Sequence, residues 1–345
     1  MDRHRIDAFC ARHPLDAAGI TAALTLTGQR PDTAAWRAFT ATLLRAAGLG
    51  AMGAGIVFFV AANWQDWGVL GRFVLLQGGL LACVGAALWQ PAPARAGQAA
   101  LILATLLTGG LLALFGQSYQ TGADLYELFF TWALLALPFA LAGLSGALWA
   151  LWWAVLNLGL ALLCGWLGLD HSIWRLLDGW RVDRAVLLMW PCVLNLAGAG
   201  VVLAVRATRF ADAAPLWLAR FLAALGFLYG TAATINVVLR PFWHGVGNDG
   251  VAQRTLVAFA FIAISAGIAF ATWRRRRDVF PMALVAASWI AISTTWIARP
   301  LRSGDLGAFF FIAFWLIAAS TGAGLLLMHW VRAWHAPTYR EPAAP

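Results

Sequence analysis

The sequence predicts an all-α polytopic membrane protein of about ten transmembrane helices, with its N-terminus and C-terminus both cytoplasmic. Three observations predict it. Apolar residues make up 62% of the 345 residues and charged residues only 11%, against about a quarter charged in soluble domains. The mean hydropathy is +0.75. The apolar residues also run continuously, without the alternation that marks barrel strands. Because a chain in lipid can pair its backbone only within helices or a closed barrel, such runs select helices.

The leader, residues 1–44, comes first. "MDRHRIDAFCARH" is too charged for a signal peptide and lacks a small-residue cleavage site, so the first span is expected to insert uncleaved. "LDAAGITAALTLTG" after Pro14 reads as a short helix ended by Gly28, and Asp32 after Pro31 is placed to cap a second helix that continues into the membrane. Trp36, Phe39, Leu43 and Leu44 share one face of it, the pattern of an interfacial helix.

The bundle, residues 45–333, holds ten runs at 45–63, 73–90, 98–116, 127–143, 147–168, 185–205, 217–238, 255–273, 279–298 and 308–331, each near the roughly 20 residues that cross a bilayer core. No charge falls in the 42 residues between Glu127 and Asp170. That length fits two crossings, with Gly143, Ser145 and Gly146 as the turn. Residues 334–345 form a short cytoplasmic tail.

Orientation follows from arginine, since the chain has no lysine and all 24 basic residues are Arg. With both ends inside, inner segments hold 16 and outer loops 8, the bias expected for cytoplasmic loops. The run Arg274 to Arg277 is the strongest anchor. The net charge of +9 is thereby assigned to topology, and no nucleic-acid partner is expected.

No cofactor or metal site is expected. Cys10, Cys83, Cys164 and Cys192 form no CxxC pair and read as small hydrophobes. "GLGAMG", Gly48 to Gly53, satisfies GxGxxG inside a span rather than after a strand, so it is not a dinucleotide loop. The Ala47, Ala51, Gly55 row and the Gly78, Ala82, Ala86 row read instead as faces for close helix packing. HExxH, GxSxG and Walker sequences are absent, and no catalytic residue is assigned.

The middles of the spans carry no ionisable group, which disfavours an ion-coupled pump. Their polar residues are chiefly Gln77, Asn157, Asn195 and Asn236, read as interhelical hydrogen-bonding groups or, for a permease, as the lining of a neutral-solute path.

Polar and aromatic groups concentrate instead on the predicted outer face. Asn63, Trp64, Gln65, Asp66 and Trp67 follow the first span, and Gln117, Tyr119, Gln120, Asp124 and Glu127 lie between the third and fourth. The candidate binding cluster is Asn63, Trp64, Asp66, Gln117, Tyr119, Gln120, Asp124 and Glu127. Capping offers a competing account: Asp124 as N-cap and Glu127 at N3 make a D-x-x-E capping box, Asn63 ends the first helix, and the tryptophans form an interfacial belt.

"GAGIVFFVAANW", "GRFVLLQGGLLA" and "GQSYQTGADLYELFFTWALLALPFAL" resemble the bacterial predicted-membrane-protein family called domain of unknown function twenty-one fifty-seven, over about residues 1–170. The resemblance implies a multi-pass inner-membrane protein and carries over no activity or residue role.

Three functions fit. A non-catalytic scaffold, sensor or assembly component with an outer polar binding face ranks first. A permease for a neutral or weakly polar solute is second. A membrane enzyme recruiting Asp124, Glu127, Asp170, His171 and His244 for acid–base work is a distant third. The expected partners are the bilayer and a protein or small solute at the outer face, and no oligomeric state is assigned.

Overall fold

The computed structural model describes residues 16–26, 31–90, 94–119, 122, 124–165, 183–208, 214–239, 248–276, 278–301 and 306–335. Among them the chain forms only helices: α1 (Ala17–Leu26), α2 (Thr33–Ala62), α3 (Val69–Trp89), α4 (Arg95–Tyr119), α5 (Leu125–Gly143), α6 (Gly146–Leu163), α7 (Arg184–Val205), α8 (Leu216–Leu239), α9 (Asn248–Ala271), α10 (Val279–Ala298) and α11 (Leu306–His335). A π-helical turn, Thr272–Arg276, prolongs α9. Among the described residues nine helices, α3 to α11, are long and apolar enough to cross a membrane. The predicted first span falls within α2, and the charge-free stretch resolves into two helices, α5 and α6. The chain is a multi-pass helical membrane protein.

It divides into two compact units, Met1–Arg72 and Phe73–Pro345. In the first, Asp16 accepts a hydrogen bond from Gly19 N (2.8 Å) at the start of α1. Asp32 accepts one from Ala35 N (2.6 Å) at the start of α2, the expected cap. At 30 residues, α2 is about 45 Å long against a hydrocarbon core of about 30 Å. One continuous helix therefore carries both the exposed Trp36, Phe39, Leu43 and Leu44 face and the run predicted as the first span, which is not among the nine.

In the second unit α7 and α8 form the central pair. α5 packs on α4 and α6, α8 on α10, and α10 on α11. Cys192, Phe227, Ala233, Val257, Phe261 and Ile292 bury together where α7, α8, α9 and α10 meet. Pro191 sits inside α7 and lacks the N–H that would bond the Leu187 carbonyl one turn back. The Cys164 thiol takes that place, donating to Leu187 O at 3.8 Å.

Close approach is made by glycine notches that receive aromatic rings. A Cβ on Gly109 would lie 2.4 Å from the Trp132 ring. The ring fits there because its Nε1 donates to Thr105 O (2.7 Å), one turn earlier on α4. The two predicted small-residue rows differ: Ala47, Ala51, Gly55, Gly78, Ala82 and Ala86 are all exposed, and a Cβ on Gly55 or Gly78 would meet nothing within 4 Å. Small residues permit approach, but a neighbour must supply the ring.

The α5–α6 turn corrects another detail. Its left-handed residue is Leu144 (φ 43°, ψ 38°), not a glycine. Gly143 and Gly146 provide room, since added Cβ atoms would lie 2.0 Å from Leu148 Cδ1 and 2.3 Å from Pro215 Cγ.

Candidate functional site

The polar island between α4 and α5 forms a cleft of about 540 Å³, a volume typical of ligand pockets. Gln117, Asp124 and Glu127 supply its polar groups. Leu112, Phe115, Leu125 and Leu128 form its apolar wall, and Ala113, Gly116, Gly122 and Thr131 complete the lining. Gly122 has φ +64°, a conformation that costs glycine little, and it lets the chain turn between the helices. Tyr119 stands exposed beside the cleft, its ring 4.8 Å from that of Phe115.

Asp124 occupies the N-cap position with extended backbone (φ −69°, ψ 149°), and its carbonyl accepts from Glu127 N at 3.0 Å. The expected capping box does not close, because the Asp124 carboxylate makes no side-chain cap bond. Glu127 is exposed and accepts from the Tyr126 hydroxyl at 3.5 Å. Two carboxylates and an amide thus border an apolar cleft, a chemistry suited to a cationic or hydrogen-bond-donating group. Gln120 of the candidate cluster lies outside the described residues, as do Asp170, His171 and His244.

The remaining cluster members belong to the first unit. Asn63 to Asp66 form a turn closed by Asp66 N to Asn63 O (3.2 Å). Asn63 follows the last residue of α2, as expected, without a left-handed backbone. Arg72 organises the turn, donating from Nε to Trp67 O (3.0 Å) and stacking 5.0 Å from the Trp64 ring. Asp66 is exposed.

Residues 7–149 match the model of the family described as predicted membrane protein (DUF2157). The family segment spans α1 to α5 and the first residues of α6, so it contains the cleft and the Asn63 turn. No curated protein and no solved structure matches the chain.

Beyond the family segment lie three of the four intramembrane amides. Asn157 and Asn195, both buried, bond to each other reciprocally (Asn157 Nδ2 to Asn195 Oδ1 3.0 Å; Asn195 Nδ2 to Asn157 Oδ1 2.7 Å). Their second amide hydrogens go to Trp153 O and Pro191 O, each at 2.8 Å. The buried Tyr229 hydroxyl donates to Asn157 O (2.9 Å) and ties α8 to the pair. Asn236 donates to Ala232 O of its own helix (3.0 Å). Gln77 is exposed on α3.

A further polar joint escaped sequence reasoning. Arg254 Nε donates to Asp183 Oδ2 at 2.7 Å, with only 5% and 7% of the two side chains exposed. The other Asp183 oxygen accepts from Ala185 N (2.9 Å) and caps α7. Gln253 Oε1 accepts from Asp183 N (2.9 Å), and Arg184 donates to Gly165 O. The cap could be read from Asp before an apolar run. The pairing, 71 residues apart, left no local signal.

Proposed function

We propose that the protein is a non-catalytic scaffold, sensor or assembly component of the bacterial inner membrane that binds a partner at its outer face. The observation that carries this reading is the gathering of Gln117, Asp124 and Glu127 around one cleft within the family segment. With both termini cytoplasmic, as the 16-to-8 arginine split favours, that cleft opens outside. A protein or small solute presenting a cationic group over an apolar body is its fitting occupant.

The competing permease reading needs amides along a path. Two features weigh toward the binding reading: the amide hydrogens of Asn157 and Asn195 are spent on each other and on their own helices, and neither amide lines the α4–α5 cleft.

The test is the double substitution Asp124→Asn with Glu127→Gln, which keeps size and polarity while removing charge. Abundance and melting in detergent should stay at wild-type levels while the function of a deletion strain is no longer restored. Full restoration by the charge-free variant would refute the cleft as the binding site.

A further inference from the structure

Of the four intramembrane amides, Gln77 is the one left without a bond. Asn157 and Asn195 pair with each other and Asn236 bonds its own helix, whereas Gln77 is exposed and has no hydrogen-bond partner among the described residues. It is the ninth of the 21 residues of α3, about 12 Å from one end of the helix and about 18 Å from the other. That depth is near the middle of a hydrocarbon core of about 30 Å. The nearer helix end is more than two turns away, too far for a glutamine side chain to reach water. Lipid tails offer neither donor nor acceptor, so the amide carries a free-energy cost until another helix bonds it.

The residues around Gln77 repeat at the spacing of a helix seam. Val74, Gln77, Leu81, Val84 and Leu88 follow one another at alternating steps of three and four, which sets them on one face in the heptad pattern that supercoils two helices. That face is open. Val74, Leu81 and Leu88 are each at least 60% exposed, and no residue of α3 is buried. The four apolar residues alone would face lipid without consequence, since lipid tails are as apolar as they are. The amide is what calls for a partner, and its chemistry selects one. A primary amide carries both donors and an acceptor, so two copies related by a two-fold axis satisfy each other with no further residue. Asn157 and Asn195 make the same reciprocal exchange within the chain.

We infer that the protein self-associates through α3, with Gln77 of one copy exchanging amide hydrogen bonds with Gln77 of a second across the Val74, Leu81, Val84 and Leu88 seam. This seam shares no residue with the α4–α5 cleft and is independent of it.

Full-length chains labelled with a donor or an acceptor fluorophore are mixed in phosphatidylcholine vesicles, and energy transfer is followed as the protein is diluted with lipid. Transfer above that of randomly placed chains is expected, with the stoichiometry of a dimer. Gln77→Leu keeps the seam apolar and lies at an exposed position, so it should melt like wild type when dilute in detergent, yet its association constant should fall about tenfold. Gln77→Asn keeps an amide and should associate more tightly than Gln77→Leu. With the four native cysteines replaced, Leu81→Cys should give a disulfide-linked dimer on mild oxidation of membranes, and Leu75→Cys, on the opposite face of α3, should not. Random transfer by wild type, undiminished association of Gln77→Leu, or crosslinking from position 75 as readily as from position 81 overturns the inference.

Discussion

Asn157 and Asn195 exchange both of their side-chain amide bonds across the α6–α7 contact, at 3.0 and 2.7 Å, and each spends its remaining amide hydrogen on its own helix. Amides buried in this way hold helices together, because in lipid an unpaired one is costly. Asn195→Ala should therefore destabilise the bundle by about 1–3 kcal/mol, largely through the stranded Asn157 amide. The double change to Ala at both positions should cost less than the two singles summed. A double-mutant cycle on melting in detergent checks this, with a coupling of about 0.6 to 1.7 kcal/mol expected.

The buried Asp183–Arg254 pair predicts a steeper effect. Asp183→Asn retains an acceptor for Ala185 N but sets an uncharged amide against the Arg254 guanidinium in a nearly dry setting, which should cost about 3–5 kcal/mol. Arg220 and Asp278 form a similar pair at 3.2 Å, yet their side chains are 43% and 26% exposed. Arg220→Gln should cost less than about 1 kcal/mol, and added salt should shrink that cost further. Chemical denaturation of the two variants in parallel gives the comparison.

Ring-filled notches and open glycines should respond oppositely to one methyl group. A Cβ on Gly230 would lie 2.2 Å from the Phe261 ring, so Gly230→Ala should destabilise by about 1–3 kcal/mol through overpacking. At Gly48, in α2, a Cβ meets nothing within 4 Å. Gly48→Ala should be neutral or stabilising by up to about 1 kcal/mol through helix propensity. Melting temperatures of the two variants decide the sign.

These contrasts show which parts of the fold the sequence could disclose. Spans, the α5–α6 break and the Asp32 cap are local consequences of composition and short spacing, and they were legible. The outer cleft was legible in its residues, because Gln117, Asp124 and Glu127 lie within one short stretch. Its capping box failed, since a D-x-x-E spacing gives the position of a cap but not the rotation of its carboxylate. The small-residue rows Ala47, Ala51, Gly55 and Gly78, Ala82, Ala86 read as packing faces, whereas the notches that receive rings are defined by residues such as Trp132 and Phe261 on other helices. Asp183 with Arg254, and Asn157 with Asn195, are pairings at long separation, set by how the helices assemble.

Orientation can be tested without reference to stability. With the four native cysteines replaced, Ser118→Cys should react with a membrane-impermeant maleimide in intact cells, whereas cysteines in the tail at 334–345 should react only after lysis. The reverse pattern would invert the bundle and place the cleft inside.

Crosslinking from within the α4–α5 cleft tests most directly whether its carboxylates recognise a partner. A photoreactive amino acid in place of Leu128, on the cleft wall, is activated in living cells, with and without Asp124→Asn and Glu127→Gln. One discrete adduct is expected, and it should disappear in the charge-free background at equal protein abundance. An adduct of undiminished yield without the two carboxylates, or no adduct at all from the cleft wall, would contradict such recognition.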